Sequence, residues 1–219
     1  MASDLTQAKE IMISEHLARR GISDQRVLGA FRVVPREVFV PLSQVDLSYE
    51  DYPLDIGEAQ TISQPYTVAF MTQLLDPRPN DVVLEVGTGS GYQAAILSRL
   101  CRKVCTIERF PDLAERAETV LKKLGYDNVE FIVGDGSLGL SEKAPFDGII
   151  VTAGAPRIPK PLLDQLKVGG RLVIPVGENT QEMLKITKMD STGSPQALKK
   201  ETYPGFRFVP LVGKEGHAE

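Results

Sequence analysis

The chain has no tryptophan, two cysteines and two histidines in 219 residues. Its histidines, His16 and His217, stand near opposite ends. A His-centred triad or a His-rich metal cluster therefore has little to draw on, and no metal site is expected. Cys101 and Cys105 flank an expected helix-to-strand turn. They read as reduced, small core residues of a cytosolic protein, not as a disulfide or a metal pair. No apolar run approaches the ~20 residues of a membrane span. The start, Met-Ala-Ser-Asp-Leu-Thr-Gln, has no signal-peptide core, so a cytoplasmic location is expected and a membrane is not. The formal net charge is −4, which provides no general attraction to nucleic acid. Repeats, low-complexity tracts and charge blocks are also lacking. Hydrophobic residues at 42% and charged residues at 25% are ordinary for a globular α/β chain.

What is present centres on Asp81 to Tyr92, Asp-Val-Val-Leu-Glu-Val-Gly-Thr-Gly-Ser-Gly-Tyr. Val82, Val83, Leu84 and Val86 form a short β-rich run suited to a strand buried on both faces. Gly87, Gly89 and Gly91 follow, then helical spacing at Ala94, Ala95, Ile96, Leu97 and Leu100. Strand, glycine turn and helix open a nucleotide site in a doubly wound sheet, because glycines let the backbone approach a ligand. A dinucleotide fingerprint needs its third glycine where Tyr92 stands, which argues against an NAD dehydrogenase. The Gly-x-Gly-x-Gly spacing is similar to that of S-adenosylmethionine (SAM) enzymes. A glycine-rich turn without a ligand is the plainer alternative.

Before this stretch, residues 4–20 look helical, with Gly21 as a stop. Ser23 is placed to cap a second helix carrying Val27, Leu28 and Phe31, which Val34-Pro35 closes. Val38 to Pro41 reads as extended chain. Arg36 and Glu37 read as a structural charged pair, and Tyr49 and Tyr52 as loop packing. Residues 42–60 are irregular, and a connection of that length is often functional. Pro65 opens a helix through Leu75, which puts Ser63 just ahead of a helix N-terminus. A capping or turn role is the plainer reading of that serine.

After the glycine loop, Lys103 to Ile107 forms a strand with Glu108 at its carboxyl end. Glu108 lies ~20 positions beyond Gly87, where an acid accepts hydrogen bonds from ribose hydroxyls. Pro111 opens an amphipathic helix that ends at Gly125. Val129 to Val133 is a strand with Gly134-Asp135-Gly136 as its loop, and Asp147 to Val151 is another. Asp135 between glycines also suits a simple turn. Pro161 to Leu166 is a short helix, and Gly169-Gly170 leads into a strand over Arg171 to Val176. Ser191 to Pro195 reads as a turn, and Phe206 to Val212 as a last strand. Late strands without long helices between them imply an antiparallel edge. The fold expected is α/β: a doubly wound, Rossmann-like, mostly parallel sheet with an antiparallel C-terminal edge and an N-terminal helical lead-in. One domain is expected over 1–219. It would comprise a lead-in and loop at 1–58, a cofactor core at 59–177 and C-terminal strands at 178–219.

Along nearly its whole length the chain resembles the protein-L-isoaspartate O-methyltransferase family. Val34-Pro35-Arg36-Glu37-x-Phe39-Val40-Pro41 resembles the family's N-terminal signature. Gln60-Thr61-Ile62-Ser63-Gln64-Pro65 resembles its active-site segment and is the most specific match. Glu85 to Gly91, Gly134-Asp135-Gly136, Leu166 to Gly177 and Phe208-Val209-Pro210-Leu211 resemble its cofactor loop, adenine-side loop, late strand motif and substrate-bordering segment. The resemblance implies transfer of a methyl group from SAM to the free carboxylate of isoaspartyl residues in damaged proteins and peptides. It implies Ser63 as the active-site serine, with Gln60, Thr61 and Ile62 beside the cofactor. It also implies cofactor contacts at Gly87, Glu108, Asp135 and Gly136, to which the loop glycines Gly89 and Gly91 are added. Ile62, Gln64, Val209 and Leu211 are the expected peptide contacts, and a monomer is expected. Val212 stands where the family often has a threonine, so any contact there is backbone or apolar.

This chemistry suits the composition. A carboxyl with a pKa near ~3.9 is already ionised at neutral pH, so no general base is required. Two readings from other classes remain. A SAM enzyme with a small-molecule acceptor would have the same sheet, and only segments 61–65 and 208–211 argue against it. A SAM-binding module without catalysis is the other, and turnover separates it.

Overall fold

The computed structural model describes residues 2–190 and 197–218. The expected turn over Ser191 to Pro195 lies outside the described residues.

The apolar runs of the middle of the chain pair as parallel strands because a helix or long loop follows each. These are β3 (Val82–Val86), β4 (Lys103–Glu108), β5 (Val129–Val133) and β6 (Phe146–Val151). They join β7 (Leu166–Val176), β8 (Gln181–Lys188) and β9 (Leu198–Phe206) in a seven-stranded sheet of order β5-β4-β3-β6-β7-β8-β9. The first five pair in parallel, and β7-β8 and β8-β9 pair antiparallel, as the tail composition implied. A small hairpin, β1 (Leu54–Gly57) with β2 (Gln60–Ile62), stands apart from this sheet.

Two apolar cores follow from the two faces of the strands. Val83, Val104, Ile150 and Val173 face α1 (Ala2–Ile11), α2 (Gln25–Val33), α3 (Pro65–Leu75), α4 (Tyr92–Ser98) and α5 (Pro111–Lys123). Leu84, Val86, Ile149 and Ile174 face the opposite layer, which is thin: Leu140, and Leu162 from the short α6 (Lys160–Asp164). Cys101 and Cys105 are buried free thiols within these layers. Among the described residues no helix is long and apolar enough to cross a membrane.

Several local expectations change. The first helix loosens into a π-turn over Met12–Leu17 and a 3₁₀ turn over Ala18–Arg20 before Gly21 stops it at φ 97°. Asp24, not Ser23, caps α2: its carboxylate accepts from Arg26 N–H at 2.8 Å, while Ser23 N–H donates to Gln73. Residues Arg36–Phe39 form a 3₁₀ turn instead of extended chain. Arg36 and Glu37 do not pair with each other; Arg36 binds backbone carbonyls, and Glu37 takes the Tyr49 hydroxyl. The strand expected over Phe206 to Val212 ends at Phe206. Beyond it, hydrogen bonding goes to a loop and a side chain: Phe208 N–H to Gln181 and Leu211 N–H to Gly154. The strand before it, β9, was not expected, because an edge strand exposed on one face carries no apolar run.

One buried ion pair ties the sheet to α3. Arg171 on β7 donates to the carbonyls of Leu75 (2.9 Å) and Asp76 (2.6 Å) and to Asp81 (2.8 Å). Both side chains are about nine-tenths buried. Removing one partner leaves the other charged and dry, which costs about 3–5 kcal/mol. Arg171→Leu is expected to lower the unfolding free energy by ~3 kcal/mol in urea titrations; a loss under ~1 kcal/mol would show that the pair is not what anchors α3.

Candidate active site

The chain runs outward from β3 to β4 and β5 on one side, and from β6 to β7 on the other. The carboxyl ends of β3 and β6 therefore flank a switch point, where open α/β sheets bind ligands. A cleft with about 850 Å³ of space, its mouth included, opens there.

Its floor is the glycine loop and the ends of β3 and β4: Val86, Gly87, Thr88, Gly89, Ile107 and Glu108. Glu108 knits this floor. Its Oε2 accepts from Gly89 N–H at 2.9 Å, and its Oε1 accepts from the N–H groups of Arg109 (2.8 Å) and Phe110 (3.1 Å). Gly136, after β5, closes one end of the cleft. Gln60, Thr61, Ile62 and Ser63, carried by β2 and the entry to α3, line it as well. Val209, Pro210, Leu211 and Val212 complete it as a strap. The strap is held by backbone: Gly154 N–H donates to Val209 O at 2.7 Å and Leu211 N–H to Gly154 O at 2.8 Å.

The family profile for protein-L-isoaspartate(D-aspartate) O-methyltransferase (PCMT) matches residues 7–216. A Pelobacter propionicus protein-L-isoaspartate O-methyltransferase is 54% identical over 210 residues, covering 95% of this chain and 92% of its own. A Petrotoga mobilis relative with the same description is 51% identical, covering 97% and 99%. A solved protein-L-isoaspartate O-methyltransferase superposes with a TM-score of 0.81 at 33% identity, covering 95% of this chain and 67% of that one. A Plasmodium falciparum structure described as PCMT, in complex with S-adenosyl-L-homocysteine, superposes with 0.79 at 28% identity, covering 93% and 97%. The chain belongs to the protein-L-isoaspartate O-methyltransferase family. It is a SAM-dependent methyltransferase of isoaspartyl residues.

The cleft of this methyltransferase fits that cofactor. It offers a carboxylate at a strand end, a glycine loop and apolar side chains at Ile107 and Leu211. It also contains an orphan acceptor: Gln93 lines the cleft, and its buried Oε1 has no partner among the described residues, while its Nε2 donates to Thr72. Three expected residues do not line the cleft. Gly91 instead lies under α5 at φ 85°, where a Cβ would sit 2.7 Å from Leu121 and 3.0 Å from Ala117. Asp135 accepts from Ser137 N–H (2.9 Å), Ser137 Oγ–H (2.6 Å) and Lys214 N–H (2.9 Å). Burial pushes its pKa up, but these donors outweigh that and hold it below the usual carboxylate range. Its carboxylate thus holds both its own loop, at Ser137, and the chain beyond the strap, at Lys214. Gln64 points to Asp51, with its Nε2 3.3 Å from the carboxylate.

Sequence reading missed Thr88, Ser90, Gln93, Arg109 and Thr152, all of which line the cleft. Thr152 was findable, since it directly follows a parallel strand at the ligand edge. Its Oγ donates to Gly87 O at 2.6 Å.

Behind Thr88 lies a buried polar chain. Thr106 Oγ donates to Glu85 Oε2 at 2.5 Å and lies 2.6 Å from Thr88 Oγ. A hydroxyl has one proton, so Thr88 is the donor in the second bond. Burial pushes the Glu85 carboxyl up to about 8; the Thr106 bond opposes this and the Glu108 charge adds to it. Glu85 is thus protonated in the fold at neutral pH. Below about pH 4.5 both folded and unfolded states carry the proton, and no stability is lost. Between there and about 8 the unfolded chain releases it first, so stability falls as pH rises. Glu85→Gln removes this dependence. Wild type is expected to lose stability relative to the variant between pH 5 and 8, as read by urea midpoints; parallel pH curves for the two would refute a protonated Glu85.

Proposed function

We propose that Ser63 holds the isoaspartyl carboxylate for direct displacement, with Gln60, Thr61, Ile62, Gly87, Gly89, Glu108 and Gly136 along the cofactor. The observation that carries this reading is that Ser63 lines the same cleft as Glu108 and the glycine loop. SAM, when bound, supplies a methyl group carried on a positively charged sulfur.

The chain's own task is positioning. The acceptor carboxylate is ionised at neutral pH, so the site has no proton to remove from it. The Ser63 hydroxyl donates one hydrogen bond to one carboxylate oxygen and leaves the other free to react. Apolar walls at Ile62, Val209 and Leu211 exclude water from that oxygen, which raises its reactivity toward a cation. Glu108 offers acceptor oxygens to ribose hydroxyls while its other contacts keep the glycine loop in place. The peptide lies between Ile62 and the strap, recognised through backbone, which tolerates many flanking sequences. Gly91, Asp135 and Gln64 act behind this surface: Gly91 in helix packing, Asp135 in securing the chain beyond the strap, Gln64 in holding the loop at Asp51. The whole is read as one domain working in the cytosol.

Ser63→Ala is expected to lower kcat for an isoaspartyl peptide about tenfold while the SAM dissociation constant, by calorimetry, stays within about twofold. Equal loss of both would contradict a positioning role. Glu108→Gln is expected to weaken SAM binding by about tenfold, since it exchanges a charge-assisted acceptor for a neutral one; unchanged affinity would remove Glu108 from the cofactor contacts. A pair of peptides differing only in Asp or isoAsp at one position tests the acceptor. Labelled methyl should pass only to the isoAsp peptide, as a base-labile ester.

A further inference from the structure

The methyl transfer described above leaves one buried charge without a task. Arg36 is fully inaccessible. Its Nε donates to Ser48 O at 2.7 Å and its Nη2 to Ser63 O at 2.8 Å. Its guanidinium carbon stands 4.8 Å from the centre of the Tyr92 ring. Those partners come from three separate parts of the molecule. Ser48 belongs to the loop after the lead-in, Ser63 to the acceptor wall, and Tyr92 is the first residue of α4, next to the glycine loop. Tyr92 is itself wedged edge-on against Phe31 and Phe39, at 5.9 and 5.5 Å between ring centres.

A guanidinium is a rigid planar fork, so its two N–H directions and its stacking face are set together. Held this way, Arg36 sets the distance between the backbone of Ser63 and the start of α4. Asp51 holds the same segment as well: its carboxylate accepts from Tyr66 N–H (3.0 Å) and from the Gln64 amide (3.3 Å). A charge buried against carbonyl oxygens is an expensive way to fill a core, since desolvation offsets most of its attraction. Apolar packing would serve stability as well. What the fork supplies in addition is direction.

We infer that Arg36 is a positioning residue for the methyl transfer: it fixes the Ser63 carbonyl against Tyr92, so that a carboxylate held at Ser63 faces the cofactor side of the cleft at a set distance. The inference rests on the positioning role of Ser63. Misplacement by about 1 Å in such a site costs up to ~10²-fold in rate.

The test is a double-mutant cycle on the whole chain with Arg36→Lys, Ser63→Ala and the double variant. An isoaspartyl peptide reports kcat and KM, calorimetry reports SAM affinity, and circular dichroism reports folding. Lysine keeps the charge but loses the second directed bond and the planar stack. The expected result for Arg36→Lys is a kcat at least about tenfold lower, with SAM affinity within about twofold of wild type. In the Ser63→Ala background the same change should cost under about twofold, because the group it positions is gone. An unchanged kcat for Arg36→Lys overturns the inference, as does an equal loss in both backgrounds. A normal kcat for Ser63→Ala alone overturns the reading of Ser63 instead. Arg36→Gln, a planar donor without the charge, is held to the same criteria if lysine prevents folding.

Discussion

Parallel strands can be joined only by crossovers, and that constraint brings the loops after β3, β4, β5 and β6 together at one edge of one sheet. Each strand from β3 to β6 delivers its following loop to the same side. The glycine loop, Glu108, Gly136 and Thr152 therefore meet although they span positions 87 to 152. Because the chain leaves β3 in one direction and returns through β6 in the other, no crossover covers the cleft between them. The bond from Gly89 N–H to Glu108 then couples the first loop to the end of the second strand. The acid proposed to hold the cofactor ribose thus also has a structural task.

On this scaffold the rest of the cleft is built from segments flanking the parallel core, before β3 and after β9. Arg36 of the N-terminal lead-in holds the Ser63 carbonyl, and the C-terminal strap adds Val209, Pro210, Leu211 and Val212 to the lining. Both are fastened through backbone groups: Ser63 O to Arg36, and Val209 O and Leu211 N–H to Gly154. Backbone fastening leaves the side chains of Ile62, Val209 and Leu211 to form an apolar wall. It also suits a substrate defined by a backbone error and not by neighbouring side chains.

Three of the buried ionisable sites differ in how they resolve the desolvation cost. Arg171 and Asp81 neutralise one another and bind carbonyls besides. Glu85 keeps its proton. Arg36 remains charged, its pKa lowered by burial to about 10 and opposed by the fields of Tyr92 and Asp51. The first joins α3 to the sheet, and the other two lie beside the cofactor loop and the acceptor wall. The composition foreshadows this arrangement: with two histidines, polar work in the interior falls to carboxylates, hydroxyls and guanidinium groups.

What the sequence determined was local or repeated. The strand at 82–86, its glycine turn and the amphipathic helix from Pro111 follow from periodicity and from stop residues that act on their own neighbours. The place of Glu108 at the end of β4 and in the cleft was legible because the strand–loop–helix unit has a nearly constant length. Ser63 was legible from the resemblance of its segment to a known family. Tertiary structure decided the rest. Asp135 was read as a cofactor contact; its carboxylate accepts from Ser137 beside it and from Lys214, almost eighty positions away. Gly91 was read as loop and serves the α4–α5 contact. Gln93 carries no local signature, nothing near Arg36 in the chain names its partners at Ser63 and Tyr92, and β9 has no apolar run. Each of these depends on which distant group fills the remaining hydrogen-bond position or the remaining space, and a pattern along the chain records only the neighbours within one or two turns.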